Sequence, residues 1–430
     1  MKKYAFLLMI GYSLLCSSCS YDQPEYNPIR KDDINEEQPG PEDPDEEVDV
    51  PDIYPEEDYE LVWSEEFDGD DEDLDARWNS QNGPSGHILC SRWRENAVIS
   101  DGTLKLVNRK ESRGGQEWTS GNIWTKEHFL YGYYECRYRY AAAQATNNSF
   151  WIMSQNGGAQ PEKGSNFEID INEGHFPNEV NTNIHNWSGQ HTTNSKGFMF
   201  GTEPGYSFQL ENPIRTTKIR FSSNHNKHFH IREFRILSVA KSYPEPLSDE
   251  WETIEGIANY AKEARITASG CYNEGSNPIS NVCDGKAATS WVSQAEGEKW
   301  LQFEFTGEKT IGCIQFVNGW QQGESWNDLI GDYKVQYEKD GKWVDIATKD
   351  VTKDMNFAKD YHTYGLNWTE EELIFYFDRK EIRRVKNEFC FSAAPVWLSL
   401  AIVSWAGEVT DAIDGTQMEV DYVRIYKHKQ

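Results

Sequence analysis

From residue 59 onward the chain is written in short alternating runs, each closed by a turn signal, and a helical period is almost absent. "LVWSEEFDG", "AVISDGTLKLV", "YGYYECRYRY", "NSFWIM", "FEIDINEG" and "VNTNIHNW" are strand-length runs of this kind. Asn82-Gly83, Asp101-Gly102 and Gly157-Gly158 supply turn pairs between runs. No repeat of 20–50 residues is present. A chain of 430 residues has room for two or three domains. The pattern therefore predicts an all-β protein built of sandwiches. Its 16 Trp, 22 Tyr and 20 Phe can fill such cores and can also offer flat faces to sugar rings. With 71 acidic against 42 basic residues, little is left to neutralise phosphates, so a nucleic-acid partner is excluded.

The acidity is concentrated. Residues 21–60 hold 17 acidic and 2 basic residues together with seven prolines. Such a stretch cannot bury enough apolar surface to offset its ordering entropy, so 20–58 is expected to be an extended tether. Ahead of it, Lys2 and Lys3 precede an apolar segment from Tyr4 to Leu15 and then Cys16-Ser17-Ser18-Cys19. This resembles a bacterial lipoprotein signal over 1–19, with Cys19 as the lipid acceptor. An ordinary secretory signal is the alternative. The expectation is an exported outer-membrane lipoprotein, exposed at the cell surface and monomeric. Export permits disulfides. Six further cysteines (Cys90, Cys136, Cys271, Cys283, Cys313, Cys390) leave the pairing open, and none has zinc-site spacing.

"NFEIDINEG" carries the chemistry. Side chains alternate along a strand, so Glu168 and Asp170 share a face and Ile169 and Ile171 the other. Straight counting puts Glu173 on the isoleucine face. One extra residue near Ile171-Asn172, a β-bulge, would bring it back beside Asp170. Carboxylates packed this closely cannot all ionise, so one stays protonated while another remains an anion. That division is what glycoside cleavage by an acid and a nucleophile requires. At ~3.3 Å per residue the two glutamate backbones would lie on the order of 13 Å apart, and inward-leaning side chains could close the gap to ~5–5.5 Å. A solvated edge strand or a calcium site would account for the same acids.

The wider sequence resembles glycoside hydrolase family 16, whose signature E-[ILV]-D-x-x-E lies on a bulged strand. "LVWSEEFDG", "ENAVISDGTLKLV", "TSGNIWTKEHFLYGYYECRYRY", "SFWIM", "HTYGLNWTEEELIFYFD" and "MEVDYVRIYK" extend the likeness. It implies a concanavalin-like β-jelly-roll sandwich over 59–206 and 357–430. It also implies a retaining endo-acting β-glycoside hydrolase, with Glu168 as nucleophile, Glu173 as acid/base and Asp170 tuning the pair. No cofactor is required for that catalysis. By the same resemblance Trp151 stacks a sugar, Trp124, Trp187 and Trp405 are further sugar contacts, and Trp93 and Asn96 wall one end of the cleft. His185 would bind Asp170 or substrate. Core or structural roles are the alternatives for each.

The intervening 207–356 contains "DGKAATSW" and "WLQFEF" and resembles the discoidin, or coagulation factor 5/8 type C, fold of family 32 carbohydrate-binding modules. Its closing segment, about 214–240 with "HIREFRIL", stands before its opening strand, so the inserted β-sandwich reads as circularly permuted. An extra jelly-roll hairpin is the alternative. By resemblance Asp284, Thr289 and Glu233 are candidates for a structural calcium ion, and Asp421 near Glu66 for another.

The expected partner is a polysaccharide. Phe167 before the first glutamate, and "NNSFW" before the strand, lean toward β-galactans of the agar, porphyran, carrageenan or host-glycan type. A β-1,3-glucan is the other candidate. Arg92 and Arg94 could serve sulfated sugars. A non-catalytic surface glycan-binding lipoprotein and a transglycosylase are the competing functions.

Overall fold

A computed structural model describes residues 51–154, 164–225, 228–247, 256–286, 288–322 and 325–429. The signal segment, Cys19 and residues 20–50 of the expected tether lie outside the described residues. Among the described residues no helix is long and apolar enough to cross a membrane.

Two antiparallel sheets face each other. One has eight strands, running in order Lys380–Lys386, Glu372–Phe377, His362–Trp368, Gly132–Arg139, Gln417–His428, Thr103–Val107 and Ala97–Ser100, with Tyr59–Glu65 paired to the fifth. The other has seven, in order Thr192–Met199, Glu179–Asn186, Phe167–His175, Thr146–Met153, Val396–Ile402, Asn122–Thr125 and Trp78–Ser80. Alternation explains the core between them. Tyr134, Cys136 and Tyr138 point inward from one sheet, and Phe150, Ile152, Phe167, Ile169 and Leu398 from the other. Chain distant in sequence closes both sheets: Gln417–His428 sits between Gly132–Arg139 and Thr103–Val107, and Val396–Ile402 between Thr146–Met153 and Asn122–Thr125.

The tether expectation fails at its end. Residues 51–58 are part of the folded body: Ile53 is buried with Tyr133, Ile374 and Tyr426, and Asp52 N donates to Arg379 O. Arg379 pairs with the fully buried Glu135 at 2.9 Å and with Glu56 at 3.0 Å. A buried carboxylate needs such partners, and these acids help to supply the enclosure rather than repel it.

A third sheet of seven strands forms a separate core. Its long central strands Gly205–Ser223 and Lys299–Asn318 pair with each other, and His230–Ser238 flanks the latter. Segment 214–240 thus belongs to this sheet, not to the jelly roll, and the sheet begins at Gly205, two residues before the expected boundary. Phe221, Phe234, Phe303, Phe316 and Trp291 fill the interior. The six cysteines from Cys90 to Cys390 are all free thiols.

Candidate active site

The bulge lies where the spacing demanded it. Along Thr146–Met153, Trp151 faces Asp170 but Phe150 faces Asn172, so Ile171 is the extra residue. Ile171 packs in the core, and its neighbour Asn172 is also buried, donating to the Tyr138 and Tyr140 hydroxyls at 2.6 and 2.8 Å. Two consecutive side chains point inward, and Glu173 returns to the open face of the sheet. There Asn147 Nδ2 donates to its Oε1 at 2.7 Å and Asn183 Nδ2 to its Oε2 at 2.5 Å.

Glu168 sits at the other end of the row. Trp187 Nε1 donates to its Oε2 at 2.8 Å. Asp170, only 3% exposed, lies between the glutamates, with His185 Nε2 at 3.3 Å from its Oδ2. One atom each of Glu168, Asp170 and His185 falls within 4.8 Å of the others. His185 Nδ1 is in turn 3.0 Å from His191 Nε2.

Burial, reinforced by the Asp170 charge, pushes the Glu168 carboxyl up to about 8, while His185 and the Trp187 N–H oppose the rise. Burial and then the Glu173 charge hold Asp170 well above the usual carboxylate range. The pair therefore keeps a proton into the neutral range. Asp170 is the more deeply buried group, so the proton belongs there. Glu168, with an indole donor, is the better site for the anion.

Beside Asp170, three indoles line up across the sheet. Trp151 and Trp124 both face Trp397 in register, and their rings stack on it at 4.7 and 4.5 Å. Trp151 and Trp124 are thus brought together as expected. Trp397 was not foreseen, because only strand register reveals it as the middle ring. Asn147, Asn183 and His191 were also missed. Asn183 was legible in principle: Asn181, Asn183, His185 and Trp187 alternate with period two.

Other expectations need correction. Asn96 is fully buried and donates to Val107 O and Thr119 Oγ1, so it ties strands together and cannot wall a sugar site. Trp93 is capped by the Arg113 guanidinium at 3.7 Å and donates to Ser91 Oγ, an arrangement internal to its loop. Arg94 is engaged by Asp71, Asp75 and Ala97 O. Trp405 is 54% exposed. Asp421 is paired with Arg137 and Glu66 with Arg424, so each of these carboxylates already has a guanidinium partner. In the inserted domain, Asp284 accepts from Thr289 Oγ1 and Lys286 N, and Glu233 Oε2 accepts from Gly285 N. Glu233 Oε1 is buried with no partner among the described residues, and burial pushes this carboxyl up to about 7. An orphaned buried oxygen beside an Asp-Gly loop fits a hard cation.

A family model described as "Glycosyl hydrolases family 16" matches residues 87–210, which include the bulged strand, and one described as "F5/8 type C domain" matches 265–371. The region of the bulged strand also has relatives among curated proteins. A beta-glucanase of Rhodothermus marinus is 31% identical over 166 residues, covering 35% of this chain and 54% of that protein. The endo-1,3-1,4-beta-glycanase EglC of Rhizobium meliloti is 41% identical over 106 residues, covering 24% and 22%. The chain thus spans about half the length of these relatives or less. Among solved structures, an endo-1,3-beta-glucanase (laminarinase) catalytic domain from Thermotoga petrophila RKU-1 is 16% identical, covering 87% of this chain and 99% of that one with a TM-score of 0.45.

Proposed function

We propose that the protein is a retaining, endo-acting β-glycoside hydrolase of polysaccharides. The observation that carries this is the bulge at Ile171, which gathers Glu168, Asp170 and Glu173 on one open face. In the first step the Glu168 carboxylate attacks the anomeric carbon while Glu173 gives its proton to the departing glycosidic oxygen. A glycosyl ester on Glu168 results. In the second step Glu173 takes a proton from water, the water oxygen attacks the same carbon, and Glu168 leaves as carboxylate. Asp170 keeps its proton and steadies the charge on Glu168. Asn147 and Asn183 aim Glu173. Two inversions leave the β configuration. Proton NMR of fresh digests tests this: the β-anomer should appear first, and an initial α-anomer would overturn the mechanism.

For substrate we favour β-1,3- or β-1,3-1,4-glucans, in keeping with the activities for which the relatives are named. A second reading, an anionic galactan, draws support from Arg92. It is 6% exposed, its Nε has no partner among the described residues, and its charge adds to burial in lowering the pKa of His87. Reducing-end release from laminarin, mixed-linkage glucan, agarose, porphyran and carrageenan separates the two. Added acceptor sugars would divert the ester if transglycosylation prevailed, and glycan binding without turnover would mark a binding protein.

The inserted domain is proposed to hold calcium through Glu233, with Asp284 in the adjoining loop, as a structural brace. The N-terminal sequence supports export and lipid attachment at Cys19, which would hold the enzyme at the outer-membrane surface. Metabolic labelling with a fatty-acid analogue, lost in Cys19→Ala, tests that reading.

A further inference from the structure

Beyond Glu173 the open face does not simply run out into solvent. Along Glu179–Asn186, Asn183 reaches Glu173, and Asn181, two residues earlier, lies on the same face roughly 7 Å further on. Asn181 Nδ2 donates to Glu173 O, and Gly197 lies directly opposite it on the edge strand. A Cβ at Gly197 would meet Asn181 Oδ1 at 2.6 Å, so a larger residue there would push the Asn181 amide aside. Against this edge strand the inserted domain lays the hairpin Trp320–Gln322 and Ser325–Asn327. A cavity of about 360 Å³ lies between them, with Asn181 and Met199 from the jelly roll and Trp326, Asp328 and Thr352 from the insert among its lining.

We propose that this junction cavity binds a neutral sugar unit of the polysaccharide chain, with Trp326 as its platform. The proposal rests on the hydrolase reading for its substrate class. The volume is at the low end of the range of about 300–1,000 Å³ typical of small-molecule sites. An indole beside amides and carboxylates supplies what a pyranose uses: an apolar face and hydroxyl partners. Glu179, Asp328, Asp332 and Asp350 all contribute to the lining, whereas among the described residues no lysine or arginine does, which favours a neutral over a sulfated unit. Arg232 caps the Trp326 ring at 5.2 Å and holds it in place. On this view the inserted domain completes the substrate channel next to the acid/base residue and is more than a distant anchor.

Binding is measured by calorimetry on the full chain carrying Glu168→Gln, with hexasaccharides of β-1,3-glucan, mixed-linkage glucan and agarose as probes. Trp326→Ala on this background should raise Kd at least tenfold for the best probe. Thr352→Trp, at an exposed position of the lining, should do the same by filling the space while removing no core contact. Unchanged Kd in both variants overturns the proposal, as does the absence of binding by all probes. The hydrolase reading is judged separately, by turnover in the unsubstituted protein. Turnover with unchanged Kd sinks only the junction site; Trp326-dependent binding without turnover sinks only the hydrolase.

Discussion

The indole N–H of Trp187 donates to Glu168 Oε2 at 2.8 Å, and that single bond favours the anion on an otherwise poorly solvated carboxyl. Removing it in Trp187→Phe should raise the Glu168 pKa further. The acidic limb of the kcat/KM profile should move to higher pH, with a loss of about tenfold near neutrality, since hydrogen bonds to charged groups are worth about 1.5–3 kcal/mol. An unmoved limb would dissociate Trp187 from the nucleophile.

Stability should carry the imprint of the same cluster. Glu168 and Asp170 have folded-state pKa values above their unfolded ones, so the folded state binds more protons. Their favourable contribution is fully present below the unfolded values near pH 4 and is lost as pH rises toward about 8. Glu168→Gln should therefore melt higher than the parent at pH 8 and about level with it at pH 4. Melting curves at the two pH values check the sign, and a lower Tm for the variant at pH 8 contradicts it.

Glu173→Ala removes the proton donor but leaves the nucleophile. Turnover of polymer should fall by about 10²–10⁴-fold. Aryl glycosides with good leaving groups should still form the ester, and azide should then release a β-glycosyl azide. Product analysis by NMR decides, and absence of azide product removes Glu173 from its role.

Asn172 is a buried amide bound to two tyrosine hydroxyls behind the site. Asn172→Ala removes a donor from each hydroxyl and the acceptor of Asn181 N, so a loss of about 2–3 kcal/mol in denaturant unfolding is expected. Activity per folded molecule should fall as well, because the same residue belongs to the bulge that turns Glu173 outward.

If Glu233 binds calcium, the ion should raise the melting temperature of the chain and chelation should lower it. Glu233→Gln should abolish both responses. Calcium-independent melting would assign the orphaned oxygen to protonation instead.

Alternation alone made much of this protein legible. Period-two runs established the β class, and counting along "NFEIDINEG" required a bulge if Glu173 was to face Glu168. Local composition misled at 51–58, where acids and prolines suggested a free tether. Those residues instead fold over the Glu135–Arg379 pair, whose members lie about 80 and more than 300 residues further along the chain. Asn96 was misread for a related reason, since its hydrogen-bond partners come from strands whose positions no local pattern shows. The sequence by itself determined which residue types alternate and therefore which carboxylates could share a face. Tertiary structure alone decided which strands became neighbours. Hydrogen-bond register between distant segments set Trp397 between Trp151 and Trp124 and brought Asn147 and Asn183 to Glu173. It also laid the inserted hairpin along the sheet edge. Register is a property of pairs of strands, fixed by packing across the whole sheet, and one strand's sequence does not contain it.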